Sequence, residues 1–269
     1  MSSTDDSLVS AFEADGAVVV RQLLGPHDLV VAARGIERAL TEPGPYFKRA
    51  SAASDGAFVE DFCTWSRIEE IEHVARLPAV ASVAAMLTGA TCVRLYHDHV
   101  LVKEPGTRQP TPWHQDLPYY NVEGRQNVSL WCPVDPVRRE WSLRVVAGSH
   151  RGPWYMPRTF LDGHARWFPE GSLAELPAID AEPDRHRVLS WDIEPGDAVC
   201  FHMLALHAAP GVPGPGRRRV LSLRYLGDDM VHAPRPWATS PPFPGLVDEL
   251  PAGAALDHPS FPVVWPPCP

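Results

Sequence analysis

Cysteine is scarce and unpaired in this sequence: Cys63, Cys92, Cys132, Cys200 and Cys268 are five residues in 269, with no C-x-x-C spacing. An odd, scattered set excludes a disulfide framework and a thiolate zinc or redox pair, and leaves buried free thiols as the expectation. Positive charge is also in short supply. Twenty-four Lys and Arg face 33 Asp and Glu, a formal net charge of -9, and nucleic acid or anionic membranes reward the opposite balance. No apolar run reaches the roughly 18 residues of a membrane span, and the opening Met-Ser-Ser-Thr-Asp-Asp lacks the basic and apolar regions of a secretory signal. The expectation is a cytoplasmic monomer or homodimer acting on a small molecule. No internal repeat is apparent.

What is present is enough apolar material, 45%, for one sizeable core and a single domain. Residues 7–24 read as a helical turn or two followed by the β-branched run Ala-Val-Val-Val. From Pro26 to Leu40 apolar residues recur at the helical period, and 67–88 repeats that pattern with Pro78 separating two helices. Between them, 41–66 reads as an irregular loop. After Gly89 the texture becomes short β-rich runs divided by Gly and Pro, the pattern of an antiparallel sandwich or barrel. This predicts a helical scaffold over about 7–88, a β core over about 90–232, and a covering tail from 234 to 269 that holds eleven prolines. The segment 151–188, with Trp154, Tyr155, Phe160, Trp167 and Phe168, reads as an insertion of the length used for lids or binding loops.

One constellation carries chemistry. In a strand, residues two apart face the same way, so His114 and Asp116 of Thr-Pro-Trp-His-Gln-Asp can offer an imidazole and a carboxylate to one ion while Gln115 points elsewhere. With 12 histidines and 18 aspartates in the chain, about one His-x-Asp arises by chance, so spacing and context must carry the reading. His202 and His207 differ by an odd number of positions; on a regular strand spanning Gly196–His207 only one reaches the metal, and His207 is chosen. Two histidines and one carboxylate are the facial set of non-haem Fe(II) oxygenases, which leaves adjacent positions for a bidentate 2-oxo acid and dioxygen. The far carboxylate of such an acid needs a cation. Arg218 and Arg224, on one face of the next strand with Ser222, are the contenders. A competing metal motif is His97-Asp98-His99 followed by Glu104, a cupin-like spacing without its flanking glycines, since Thr91 and Thr111 stand there.

The run Arg-Leu-Tyr-His-Asp-His-Val-Leu-Val-Lys-Glu-Pro-Gly-Thr, the Thr-Pro-Trp-His-Gln-Asp motif, Trp131, Val-Ala-Gly-Ser-His at 146–150, and His207 followed by Arg218 and Ser222 together resemble the phytanoyl-CoA dioxygenase family of Fe(II)/2-oxoglutarate oxygenases. The resemblance covers roughly 8–232, with a tail similar to bacterial members. It implies a mainly β fold with flanking helices, a double-stranded β-helix (jelly roll, cupin-like), with iron on His114, Asp116 and His207, and 2-oxoglutarate on Arg218 with Trp131, His99 and Ser222 nearby. Ala209 stands where the family often has Ser, and Trp141-Ser142-Leu143 replaces a common Gly-x-Leu. The retained Asp116 argues against halogenation, which in related enzymes needs a small residue there. Trp113, Tyr119, Tyr120, Asn121 and Trp141 are the expected substrate contacts. Their aromatic character suggests a bulky molecule, oxidised at a C–H bond by hydroxylation in secondary metabolism. Epimerisation, ring closure and desaturation use the same machinery. A non-catalytic jelly-roll binding module is the rival from another class, and the intact ligand set speaks against it.

Overall fold

Pro26 and Pro78 each open a helix, where a missing N–H costs nothing, and Gly89 ends the second in the left-handed conformation at φ 67°. The computed structural model describes residues 3–156, 169, 171–212 and 214–266. In chain order these form α1 (Ser3–Asp15), β1 (Ala17–Val20), α2 (Pro26–Thr41), β2 (Lys48–Arg49), β3 (Phe58–Phe62), α3 (Glu69–Ala75) and α4 (Pro78–Thr88). Then come β4 (Val93–Lys103), β5 (Thr111–His114), β6 (Val122–Glu123), β7 (Asn127–Pro133), β8 (Arg144–Val146) and β9 (Val188–Leu189). The chain continues through β10 (Ala198–Phe201), β11 (His207–Ala209), β12 (Arg218–Leu226), β13 (Val231–His232), α5 (Leu246–Glu249) and β14 (Val263–Trp265).

The major sheet runs β1-β10-β7-β12-β4-β3-β2, with β14 also on β4; the minor sheet runs β5-β11-β8-β9. All pairings between the strands named here are antiparallel, and this is the jelly-roll architecture expected of the sequence. The alternation of side chains along each strand divides the major sheet into two working faces. Its outer face, with Leu95, Leu130, Leu221 and Leu223, packs under the four helices. Tyr225 on the same face donates from its hydroxyl to the Ala75 carbonyl at 2.9 Å, tying the sheet to α3. The inner face meets the minor sheet through Trp131, Val199, Phe201 and Val220 against Leu143, Val145 and Ala209.

The structure corrects the sequence reading in two places that matter for the site. Segment 41–66 is not simply a loop: it contains β2 and β3, and Phe58, Glu60 and Phe62 continue the inner face beside Lys103, Leu101 and His99 of β4. Gly196–His207 is also not one strand. It breaks after Phe201, so β10 lies in the major sheet and β11 in the minor one. The break is held by Asn127 Oδ1 accepting from the Met203 N–H at 2.8 Å and by Ala205 N–H bonding the His202 carbonyl.

The described part of the 151–188 segment packs against the body, with Ile179 beside Trp113; Phe160, Trp167 and Phe168 lie outside the described residues. The proline-rich end covers one end of the barrel, where Phe243 and Phe261 pack on Tyr96. No helix among the described residues is long and apolar enough to cross a membrane.

Asp197, in the turn before β10, accepts hydrogen bonds from Arg21, from Gln22 N–H at 2.9 Å and from Glu194 N–H at 3.1 Å. Burial opposes its charge, but these donors outweigh burial and hold its carboxyl below the usual range. Asp197→Ala is expected to cost about 2–3 kcal/mol in chemical denaturation at pH 7 by orphaning the donors. A lowered folded-state pKa means stability that is present above the unfolded carboxyl pKa, so the difference from wild type shrinks as pH falls below about 4.

Candidate metal and co-substrate site

β5 and β11 are neighbours in the minor sheet, and their register sets His114 directly across from His207, with ring centroids 4.1 Å apart. The strand ends at His114, so Asp116 is not the strand residue expected. It opens a 3-10 turn, and its N–H and that of Leu117 both bond the Met203 carbonyl, at 2.8 and 3.0 Å. This departure does not separate the three side chains. Asp116 Oδ1 stands 3.6 Å from Nε2 of both histidines, too far to hydrogen bond. An ion with ordinary ligand bonds of about 2.0–2.2 Å fits between donors so placed.

Each imidazole is locked. His114 Nδ1 lies 2.8 Å from the Pro112 carbonyl and His207 Nδ1 2.9 Å from that of Ala205. A carbonyl only accepts, so Nδ1 carries the proton and Nε2 turns its lone pair inward. Burial, then His114, pushes His207 down to about 3, so it is neutral at physiological pH. Asp116 is fixed through its other oxygen. Ser129 donates to Oδ2 at 3.0 Å, and Arg224 stands 3.3 Å from it. Burial would raise the Asp116 pKa, but the Arg224 guanidinium holds the carboxyl well below the ordinary value. Two lone-pair nitrogens and one single-oxygen carboxylate suit a divalent first-row metal with positions to spare.

Neighbouring elements brace this set. Gln115 faces away, donating to the carbonyls of Pro153 and Leu204. Gly148, at φ 76°, permits the turn in which Ser149 Oγ bonds the Val146 carbonyl and accepts from Leu206 N–H, one residue before His207.

The three donors open on a cavity of about 310 Å³ between the sheets. Arg218 lines it, lies 5.8 Å from the Trp131 ring, and donates to the carbonyls of Trp141 and Pro210; no carboxylate pairs with it among the described residues. Burial lowers its pKa to about 10, which leaves it charged. Arg224, the other contender, is already engaged with Asp116 and with the Tyr120 hydroxyl at 3.1 Å. Trp131, His99, Ser222, Tyr119 and Tyr120 line the same cavity.

Trp113 does not line it. Its Nε1 donates to Asp180 at 3.0 Å within a separate apolar cluster. Asn121 is spent on the Tyr96 hydroxyl at 2.7 Å, and Trp141 offers its carbonyl to Arg218 and packs behind the inner-face cluster without lining the cavity itself. The competing cupin set does not converge, because Glu104 pairs with Arg217 at 2.9 Å. Among the described residues, His27, Asp28 and His73 form a second donor group, on the surface of α2 and α3. There the Asp28 carboxylate serves both imidazoles at 3.3 and 3.1 Å. Lys48, Glu60 and Lys103 are cavity residues that the sequence reading missed. Phe-x-Glu-x-Phe alternation at 58–62 was the available signal.

The phytanoyl-CoA dioxygenase (PhyH) family model matches residues 12–220. The peroxisomal phytanoyl-CoA dioxygenase of Rattus norvegicus is 25% identical over 238 residues, 81% of this chain and 67% of that protein. A probable phytanoyl-CoA dioxygenase of Caenorhabditis elegans is 27% identical over 166 residues, 58% and 50% of the two chains. Among solved structures, the epimerase SnoN in complex with Fe3+, alpha ketoglutarate and nogalamycin RO superposes with a TM-score of 0.79 at 20% identity, covering 97% of this chain and 98% of that one. The carbocyclase SnoK from nogalamycin biosynthesis gives 0.75 at 20%, covering 98% and 96%. A jelly roll with a facial donor set and a family model spanning most of the sequence lead to one conclusion: the chain belongs to the phytanoyl-CoA dioxygenase family, and is a dioxygenase that uses iron and 2-oxoglutarate.

Proposed function

We propose that His114 and His207, each through Nε2, and Asp116, through Oδ1, hold the Fe(II), and that Arg218 binds the distal carboxylate of 2-oxoglutarate. The enzyme then oxidises an unactivated C–H bond of a bulky small molecule, and hydroxylation in secondary metabolism is the reaction. The observation that carries this reading is the convergence of three buried donors whose remaining polar atoms are all spoken for. Iron, 2-oxoglutarate and O2 together supply the oxidising power, leaving succinate, CO2 and the oxidised substrate as products.

The protein's own contribution is orientation and dryness. Carbonyls of Pro112 and Ala205 fix both imidazole tautomers, and Ser129 with Arg224 keeps Asp116 on a single oxygen, the kind of outer support that orients a ligand and tunes its affinity. Arg218 presents a charged fork with no acid of its own to satisfy among the described residues. Leu101, Leu143 and Val220 make the adjoining wall apolar and exclude water from the reacting atoms. Tyr119 and Tyr120 are the substrate contacts among the residues expected for that role.

SnoN is an epimerase and SnoK a carbocyclase, so mass spectrometry of the product is the informative test. Hydroxylation predicts a product one oxygen heavier than substrate, with one succinate formed per turnover. An unchanged mass signals epimerisation, and a loss of two hydrogens signals ring closure or desaturation. Either outcome replaces hydroxylation while leaving the metal assignment standing.

A further inference from the structure

Glu60 has no part in the metal or co-substrate assignments above. It lies on the inner face of β3 between Phe58 and Phe62, is 1% exposed, and lines the same cavity as the three donors. Neither of its carboxylate oxygens accepts a hydrogen bond. Lys48 Nζ at 3.3 Å is near enough to act through charge, and His99 Nε2, on an imidazole that burial pushes down to about 4 and so keeps neutral, stands at 3.2 Å, but both lie off hydrogen-bond angle. The shortfall does not stop there. His99 Nε2 and Ser222 Oγ are also unpaired, and His99 and Ser222 are register partners on β4 and β12. Three polar side chains therefore form a row across the inner face, each with hydrogen-bonding capacity unused. Native interiors leave few such groups, and each calls for an explanation.

Resting on the oxygenase reading above, we propose that Glu60 is a specificity-determining residue that accepts a hydrogen bond from a hydroxyl of the substrate, and that the substrate class is an uncharged, polyhydroxylated ring compound such as a glycoside. Two observations choose a neutral hydroxyl over an ammonium group. Lys48 already balances the Glu60 charge, while burial pushes Lys103, the other lysine in the lining, down to about 6 and leaves it largely neutral. With Arg49, Arg218 and Arg224 also in its lining against Glu60 and Asp116, the chamber is cationic on balance and repels a further cation. The walls choose a ring. Phe62 stacks on His99 with centroids 3.9 Å apart, and Phe58, Tyr119 and Tyr120 add aromatic surface to the same cavity. Flat apolar walls with a few convergent polar groups are the usual form of a site that takes one face of a ring and reads its substituents.

A purely structural role for Glu60 is the competing account, since with Lys48 it also bridges the register pair between β2 and β3. Glu60→Gln separates the two, because it keeps the shape and removes the charge. Full-length enzyme loaded anaerobically with Fe(II) and 2-oxoglutarate is dialysed to equilibrium against p-nitrophenyl glucoside, galactoside and rhamnoside, each paired with its fully O-methylated ether. The wild type is expected to bind at least one glycoside and to hold its ether about tenfold more weakly. Glu60→Gln is expected to lose about tenfold on that glycoside, to stop distinguishing the two forms, and to keep its 2-oxoglutarate affinity and melting temperature. Ethers that bind as well as the glycosides, no glycoside binding by the wild type, or a Glu60→Gln variant that binds like wild type each overturn the inference. So does a variant that melts well below wild type, which assigns Glu60 to pinning β2. Failure of the wild type to bind 2-oxoglutarate at all overturns the oxygenase reading instead.

Discussion

In His207→Ala, succinate formation in the presence of Fe(II) and 2-oxoglutarate is expected to fall by at least about a thousandfold, and iron is no longer retained through gel filtration. The size of the effect follows from what the side chain is surrounded by. His207 is buried, faces His114 across the β5–β11 pair, and turns a neutral nitrogen toward Asp116. Alanine leaves two donors where three converge and supplies nothing in their place. The folded state loses the Nδ1 bond to the Ala205 carbonyl and the packing of the ring on His114 and Phe201, a cost of about 2–3 kcal/mol that a jelly roll of this size withstands. Cooperative melting near the wild-type temperature, alongside lost turnover, is therefore the expected pair of results. Full activity in His207→Ala would remove β11 from the metal site.

Arg218→Met is expected to raise the 2-oxoglutarate dissociation constant about a hundredfold in the iron-loaded enzyme, while iron affinity stays within about threefold. Charge-assisted bonds to a buried carboxylate are worth about 1.5–3 kcal/mol each, and the forked guanidinium can make two. Arg224→Met provides the contrast. Its guanidinium stands 3.3 Å from Asp116 Oδ2, so its removal is expected to weaken iron about 10–100-fold, the range for outer supports of metal ligands, and to leave 2-oxoglutarate affinity near wild type once iron is saturating. Isothermal titration with each ligand in turn separates the two arginines. The reverse pattern would exchange their roles.

Much of the fold was legible because its local signals agree with its tertiary demands. The helical period of 26–40, Pro78 between two helices, and the β-rich runs after Gly89 other than Gly196–His207 reappear at nearly the expected boundaries. Legibility failed where a few residues serve tertiary pairing. β2 is two residues long and β3 five, and both are surrounded by Gly, Pro and Ser, so their strand character comes from pairing, β3 on the edge of β4 and β2 on β3, more than from their own propensity. That miss concealed Glu60.

His207 was chosen over His202 by strand parity, and the structure separates the two for a different reason: the chain changes sheets between them. His202 Nε2 lies 3.1 Å from the Arg125 carbonyl, beside Phe12 and His150 and outside the cavity lining. Trp113 was misjudged because adjacency to His114 says nothing of direction. Neighbours in a strand face opposite sides, and its indole belongs to the cluster holding Ile179 and Leu206. Lys103 escaped notice for a related reason. Its buried amine donates to the carbonyl of Gln109 at 2.8 Å and to that of Pro210, distant in sequence, at 3.1 Å.

The central claim is that three buried donors hold one iron with adjacent positions open to a 2-oxo acid. Anaerobic addition of 2-oxoglutarate to the Fe(II)-loaded protein tests it most directly. The account predicts a weak visible charge-transfer band that saturates at one equivalent and is absent in His114→Ala. Iron bound without any such band, or a band that persists undiminished in His114→Ala, would contradict it.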